Sequence, residues 1–335
     1  MGGYELEEER ILSWLESRRA TRVLIQAPDG IKPYLRDLCE VLAAAGIEAI
    51  VSGSHAWGGC DVAVREAVLV GADAVVHIGH HGPVRFRPPG NLLFIEGRAG
   101  VSIHGVVEIA AEKLVEKGVE NVALLTTIQH LHELKHAKSL LSEHGINVFL
   151  ARSSKPYMRE GLITGCDVEA AKALESKVEA FLVVSGGVFH ALGVGLITRK
   201  TVFAADPYTN RVLDIERNVR RVIAVRLNHL ADALDAREAL IVASTKPGQF
   251  SATRIRRVKA FLSSRGIKCK VAVFGDLDRG VLENLGSFDV YVNAACPRLA
   301  VDDYHIFPGP VINPGELRYL DEGLENYDPA SALQW

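Results

Sequence analysis

The stretch RVLIQAPDGIKPYLRDLCEVLAAAGIEAIVSG, residues 22–53, reads as one half of an α/β unit. An apolar strand from Arg22 runs into a polar turn. A helical pattern follows and stops at Gly46-Ile47, with the glycine where a helix C-terminus favours one. A second strand, EAIVSG, comes next. The same order recurs twice. NVALLTTIQHLHEL from Asn121 leads into LKHAKSLLSEHGI and NVFLA, and EALIVASTKPGQF from Glu238 leads into ATRIRRVKAFLSSRGI and KVAVFG. Each copy continues with a second helix: CDVAVREAVLVGA, CDVEAAKALESKV and LDRGVLENLG. Each then has a third strand: DAVVHIGHHG, AFLVVSGGVFHALG and FDVYVNAACPRLA. Self-similarity at about 100 residues marks a copied structural unit. Short strands alternating with helices of 10–15 residues imply parallel sheets.

The pattern predicts three Rossmann-like α/β domains related by pseudo-threefold repetition, with boundaries at 1–105, 106–215 and 216–335. VRRVIAVRLNHLADALDAR (219–237) is expected to be a connecting helix. YLDEGLENYDPASALQW (319–335) is expected to be a surface tail or a dimer contact. A length of 335 residues suits two or three domains. The residues are 48% hydrophobic but only 7% aromatic, which suits Val, Ile, Leu and Ala cores between helices and a parallel sheet. A net charge of −3 gives no electrostatic basis for general nucleic-acid binding. No apolar run reaches the ~18 residues of a membrane span. The first 20 residues lack the apolar core of a signal peptide, and MGGYEL lacks the Ser/Thr of a myristoylation signal. The expectation is a cytoplasmic protein.

In such sheets ligands gather beyond the C-terminal strand ends. Three copies around a pseudo-axis would aim those ends at one central cavity. The candidate residues fall there. GGCD (58–61) and TGCD (164–167) both follow a second strand, so Cys60 and Cys166 are expected to open second helices, with Asp61 and Asp167 as caps. A helix N-terminus stabilises a thiolate. The third unit has VFGDLDRG at that place, without cysteine, and carries Cys296 after its third strand instead. Cys39, on an apolar helix face, and Cys269, at a strand start, read as structural. Five cysteines without a secretion signal argue against a disulfide framework. A trio of thiolates suits zinc, although structural zinc sites usually use close pairs. It also suits a [4Fe–4S] cluster with one iron free for substrate.

SGGVFHALGVG (185–195) offers backbone N–H groups to an anion. STKPGQ (244–249) places Lys246 at another strand end. HELKH (132–136) matches HExxH, a zinc hydrolase pattern. The repeat aligns it with the starts of the other first helices, and no third ligand stands out. His77, His80 and His81 end a further strand and are candidates to line the cavity.

Together, QAPDGIK, GGCDVAVREA, ADAVVHIGHHG, ITGCD, GGVFHALG with TVFAADPY, TKPGQ, and NAACPRLAVDD with PVINPGEL resemble the archaeal enzymes of the first step of diphthamide formation. These are the 2-(3-amino-3-carboxypropyl)histidine synthases. The resemblance spans nearly the whole chain. It implies three α/β domains around a central [4Fe–4S] cluster, with Cys60, Cys166 and Cys296 as the ligands. It also implies S-adenosylmethionine bound at the open iron and cleaved between sulfur and the methionine Cγ. The 3-amino-3-carboxypropyl group then adds to C2 of a histidine in translation elongation factor 2, leaving methylthioadenosine. A homodimer and an unidentified electron donor are further implications. The family often has three glycines where this chain has Ser185, Gly186 and Gly187. Choice of the Cγ bond requires fixing the methionine carboxylate and amine. The strand-end positions assign this to Gly186, Gly187 and His190, and to the turn of Lys246, Gly248 and Gln249. Quinolinate synthase, also three-domained with three cysteines around a cluster, is the alternative, with the open iron as a Lewis acid. A three-domain binding module without catalysis would not need three strand-end cysteines.

Overall fold

The computed structural model describes residues 3–82 and 84–335. Three α/β units, each with a mainly parallel sheet, follow one another along the chain. The first holds β1 (Tyr4–Glu5), α1 (Glu8–Ser17), β2 (Arg22–Gln26), α2 (Leu35–Ala44), β3 (Glu48–Val51), α3 (Val64–Leu69), β4 (Ala74–Ile78), β5 (Leu92–Ile95) and β6 (Arg98–Ala99). The second holds α4 (His104–Glu116), β7 (Asn121–Thr126), α5 (Leu134–Glu143), β8 (Asn147–Phe149), α6 (Glu169–Leu174), β9 (Ala180–Val184), α7 (Phe189–Thr198), β10 (Thr201–Asp206) and β11 (Arg211–Asp214). The third holds α8 (Glu216–Ala233), β12 (Glu238–Ser244), α9 (Ala252–Ser264), β13 (Lys268–Phe274), α10 (Arg279–Glu283), β14 (Val290–Asn293), α11 (Pro297–Val301), β15 (Val311–Ile312) and α12 (Tyr319–Glu322).

The sheet orders are β3-β2-β4-β5, β8-β7-β9-β10-β11 and β13-β12-β14-β15. Each sheet therefore repeats the order second, first, third, fourth. Only the second adds an antiparallel edge, β11 against β10. The fourth strands β5, β10 and β15 go beyond the sequence reading. β15 has just two residues and shows no period of its own.

Two details repeat in all three units. Gly46, Gly145 and Gly266 have φ of +76°, +79° and +72°. In each case the next residue's N–H reaches back to the carbonyl of Leu42, Leu141 or Leu262, which closes a Schellman motif. A carboxylate just before the third strand also receives two N–H groups at the start of the first. Asp73 serves Thr21 and Arg22, Glu179 serves Glu120 and Asn121, and Asp289 serves Arg237 and Glu238. These bonds hold all three carboxyls below their usual range.

Two expectations change. The second helices start later than the cysteines. α3 begins at Val64 and α6 at Glu169, so neither Cys60 nor Cys166 opens a helix. Gln26 holds residues 61–63 out of helix by bonding Asp61 O and Ala63 N. The C-terminal stretch is not a surface tail. Ala332 and Leu333 are buried in the core of the second unit, and Asn313 Nδ2 donates to Ala332 O at 2.6 Å.

Arg226 of α8 and Glu316 form a fully buried ion pair. Arg226 also donates to Ala300 O and Val311 O, each at 2.8 Å. A carboxylate removed here leaves a buried cation without its counter-charge. Glu316→Gln is therefore expected to cost about 3–5 kcal/mol in urea denaturation. The double variant Arg226→Met/Glu316→Leu is expected to recover most of that loss.

Candidate active site

The C-terminal strand ends of the three sheets meet at a cavity of about 400 Å³. Cys60, Cys166 and Cys296 all line it. Each comes from a different unit, so only the packed units bring the thiols together.

Cys60 lies in the turn after β3 and is held by the third unit. Gly248 N donates to Cys60 O at 2.8 Å, and Gln249 Nε2 lies 3.4 Å from Cys60 Sγ. The approach needs a glycine. A Cβ on Gly248 would fall 2.0 Å from Val84 O and 2.7 Å from Cys60 Cα. Lys246 beside it bonds Asp61 at 2.8 Å and Asp276 at 2.9 Å. Asp61 is thus an inter-unit ion-pair partner, and no cap hydrogen bond from it starts α3. Burial raises its pKa even against the Lys246 charge.

Cys296 is the N-cap of α11, whose first residue is Pro297. Asn293 Nδ2 donates to Cys296 O at 2.7 Å and to Asn313 Oδ1 at 2.8 Å. Asn313 N in turn donates to Glu316 Oε2 at 2.8 Å, so the turn is tied to the buried Arg226 pair. Cys166 sits in the turn before α6. Arg298 reaches over from α11 to Gly165 O at 3.3 Å and Phe189 O at 2.7 Å. Its guanidinium lies 3.8 Å from the centre of the Phe189 ring.

Burial pushes the Cys60 thiol up to about 12, with the Cys166 charge adding to the rise. The Cys166 and Cys296 thiols are raised by burial too. Cys60 and Cys166 push Cys296 further up. Arg85 and Arg298 oppose this at Cys166. Without a positive centre among them, the three thiols stay protonated at neutral pH.

Gly186 and His190 line the same cavity. Burial holds His190 down to about 3, and its Nδ1 is buried with no partner among the described residues. Gly187 has φ of +64° and donates to Asp206 at 3.2 Å instead of facing the cavity. Lys246, Gly248 and Gln249 also lie outside the lining. They surround the Cys60 turn. His80 and His81 line the cavity, and His77 stands fully buried behind His80. Cys39 and Cys269 pack against the cores of the first and third units.

His132 and Glu133 lie in a 3₁₀ segment and His136 in α5, and none of them reaches the cavity. Cys60, Cys166 and Cys296 share the cavity without closing to the spacing of a single ion's ligands, and no group of three or more His, Cys, Asp or Glu among the described residues is gathered that tightly. The sequence reading missed Arg298, Tyr208, His130 and the Gln26–His77 pair. Arg298 was within reach, because it sits two residues past Cys296 in a proline-started helix.

Residues 27–328 match the family model described as "Putative diphthamide synthesis protein". The 2-(3-amino-3-carboxypropyl)histidine synthase of Pyrococcus horikoshii is 34% identical over 97% of this chain and 93% of its own. Subunit 1 of the human enzyme of that name is 25% identical over 93% of this chain and 71% of its own. A crystal structure of Dph2 from Pyrococcus horikoshii with a 4Fe-4S cluster superposes with a TM-score of 0.87. It has 32% identity and covers 98% of this chain and 94% of that one. The fold and cavity define a three-unit α/β enzyme of the transferase class. The chain belongs to the diphthamide synthesis family.

Gly248→Ala is expected to displace the Cys60 turn. The measurement is iron and sulfide content after anaerobic reconstitution, beside an unchanged far-ultraviolet circular dichroism spectrum. Full incorporation would show that the Gly248 contact does not set the Cys60 position.

Proposed function

We propose that this chain cleaves the Cγ–S bond of S-adenosylmethionine and transfers the 3-amino-3-carboxypropyl group to C2 of a histidine in translation elongation factor 2. The observation that carries this reading is the convergence of Cys60, Cys166 and Cys296, one from each unit, on one cavity. The family membership and the cluster in the Pyrococcus structure support it.

The residues fit a [4Fe–4S] cluster. Three soft sulfur donors line one space, and a cationic iron core would offset the burial that raises all three thiols and the repulsion between thiolates that adds to it at Cys60 and Cys296. Cys60, Cys166 and Cys296 would hold it, leaving one iron without a protein ligand. The cluster would supply one electron to the sulfonium and a contact at the open iron.

The chain's own groups do the placing. Gly186 and His190 are the proposed contacts for the methionine end, since both line the cavity. Arg298, its charge paired with both oxygens of Asp302, ties the Cys166 and Cys296 turns together. Lys246, Gly248 and Gln249 act indirectly, by fixing the Cys60 turn against the first unit. His190 stays neutral and offers a hydrogen bond without a charge. The target is a side chain of another protein, so the cavity must open to a docking surface. A homodimer and a separate one-electron donor complete the proposal. No described helix is long and apolar enough to cross a membrane.

Three experiments test this reading. Anaerobic reconstitution followed by dithionite and S-adenosylmethionine is expected to yield methylthioadenosine and labelled elongation factor 2. Formation of 5′-deoxyadenosine would refute the bond choice, and a Lewis-acid enzyme would cleave nothing. Cys60→Ala, Cys166→Ala and Cys296→Ala are each expected to lose most of the cluster absorbance, while Cys39→Ala and Cys269→Ala retain it. Third, thiols held protonated must release their protons to bind iron. Cluster uptake is therefore expected to strengthen as pH rises from 6 to 9, with about one proton released per thiol, read by potentiometry in weak buffer.

A further inference from the structure

Gln26 ends β2, and main-chain groups fix its amide from both sides. Its Nε2 donates to Asp61 O at 2.9 Å, and its Oε1 accepts from Ala63 N at 2.8 Å. A backbone carbonyl only accepts and a backbone N–H only donates, so the amide has one orientation. His77 Nδ1 lies 2.8 Å from the same Oε1. That nitrogen must carry a proton. Burial keeps the His77 ring neutral, well below its usual range. A neutral ring protonated at Nδ1 has a bare Nε2. His80 Nδ1 stands 2.9 Å from that lone pair and must donate to it. His80 is also neutral, held by burial at about 4. Its own Nε2 is therefore a lone pair. His80 lines the cavity with the three cysteines, and its Nε2 has no partner among the described residues. Two backbone contacts 35 and 37 residues from Gln26 thus dictate the tautomer of a histidine that lines the cavity.

We propose that His80 Nε2 is a catalytic proton acceptor, which takes the proton displaced from the ring carbon of the substrate histidine when the new carbon–carbon bond forms. This rests on the transfer reaction proposed above. The new bond joins the unpaired electron of the incoming Cγ to one π electron of the ring. The C2–H bond of the adduct then breaks. Its proton goes to His80 Nε2, and one electron returns to the oxidised iron–sulfur cluster as one-electron acceptor, so the transfer is redox-neutral. A neutral ring nitrogen within reach can take this proton, because the adduct that loses it carries a full positive charge. The chain of bonds ends on an amide oxygen, which does not relay protons. Gln26 and His77 are therefore positioning residues, and the proton leaves His80 through the cavity.

The test uses the reconstituted, dithionite-reduced holoenzyme with S-adenosylmethionine and elongation factor 2 whose histidines carry hydrogen or deuterium at C2. His80→Ala is expected to lower transfer about 100-fold. It should raise the ratio of methylthioadenosine to modified factor, enlarge the deuterium isotope effect on transfer, and respond to added imidazole. Gln26→Leu should enlarge the same isotope effect with a smaller loss. Transfer by His80→Ala at the wild-type rate, or with an unchanged isotope effect, would overturn the proposal. Nitrogen-15 NMR of the wild-type histidines gives a second readout that needs no turnover. A bare Nε2 on His80 at neutral pH supports the assignment, and a protonated one refutes it even if the variant does not load iron. Absence of methylthioadenosine from the wild type would instead count against the transfer reaction itself.

Discussion

Three thiols buried in one cavity repel each other as soon as they ionise, and much of the surrounding architecture answers that constraint. Burial raises each of them, and at Cys60 and Cys296 the neighbouring thiols add to the rise. Such a group is unfavourable as three charges, and the proposed cluster would make it favourable. The three cysteine turns are held in place by contacts that do not depend on a metal. Those at Cys60 and Cys166 cross between units, and those at Cys296 come from its own unit. The Cys60 turn is bonded by Gly248 and Gln249, the Cys166 turn by Arg298, and the Cys296 turn by Asn293 and Asn313.

The Arg226–Glu316 pair is the deepest part of this scaffold. Taking both charges out of water is costly unless their hydrogen bonds are complete. Here Glu316 also accepts from Asn313 N and from Tyr327 Oη, each at 2.8 Å, and Arg226 satisfies two carbonyls. The pair fixes the loop that carries Asn313, and Asn313 shapes the segment around Cys296. Stability and ligand placement thus share one network. Lys246 plays a similar part at the surface of the first unit, where Asp61 and Asp276 hold it between two units.

The repeat was legible because its physics is local. A strand, a turn and a helix closed by Gly46, Gly145 or Gly266 depend on residues near each other in the chain, and those patterns recur at each copy. The second helices start later than expected because a glycine before each cysteine and an Asp after it look like a capped helix start. A glutamine 37 residues before Ala63 overrides the first of these. The C-terminal stretch was misjudged for a similar reason. Its many polar residues hid Ala332 and Leu333, whose burial depends on a groove in the second unit.

The sequence alone determined three copies of an α/β unit and put Cys60, Cys166 and Cys296 at strand ends. Both follow from hydrophobic period and turn chemistry, which act over a few residues. Only the tertiary structure decided that the three cysteines share one cavity. It also decided that Lys246, Gly248 and Gln249 stand behind Cys60 and not within that cavity, and that His80 lines it with His77 and Gln26 behind. These outcomes depend on contacts between residues tens to hundreds of positions apart, whose partners no local pattern names.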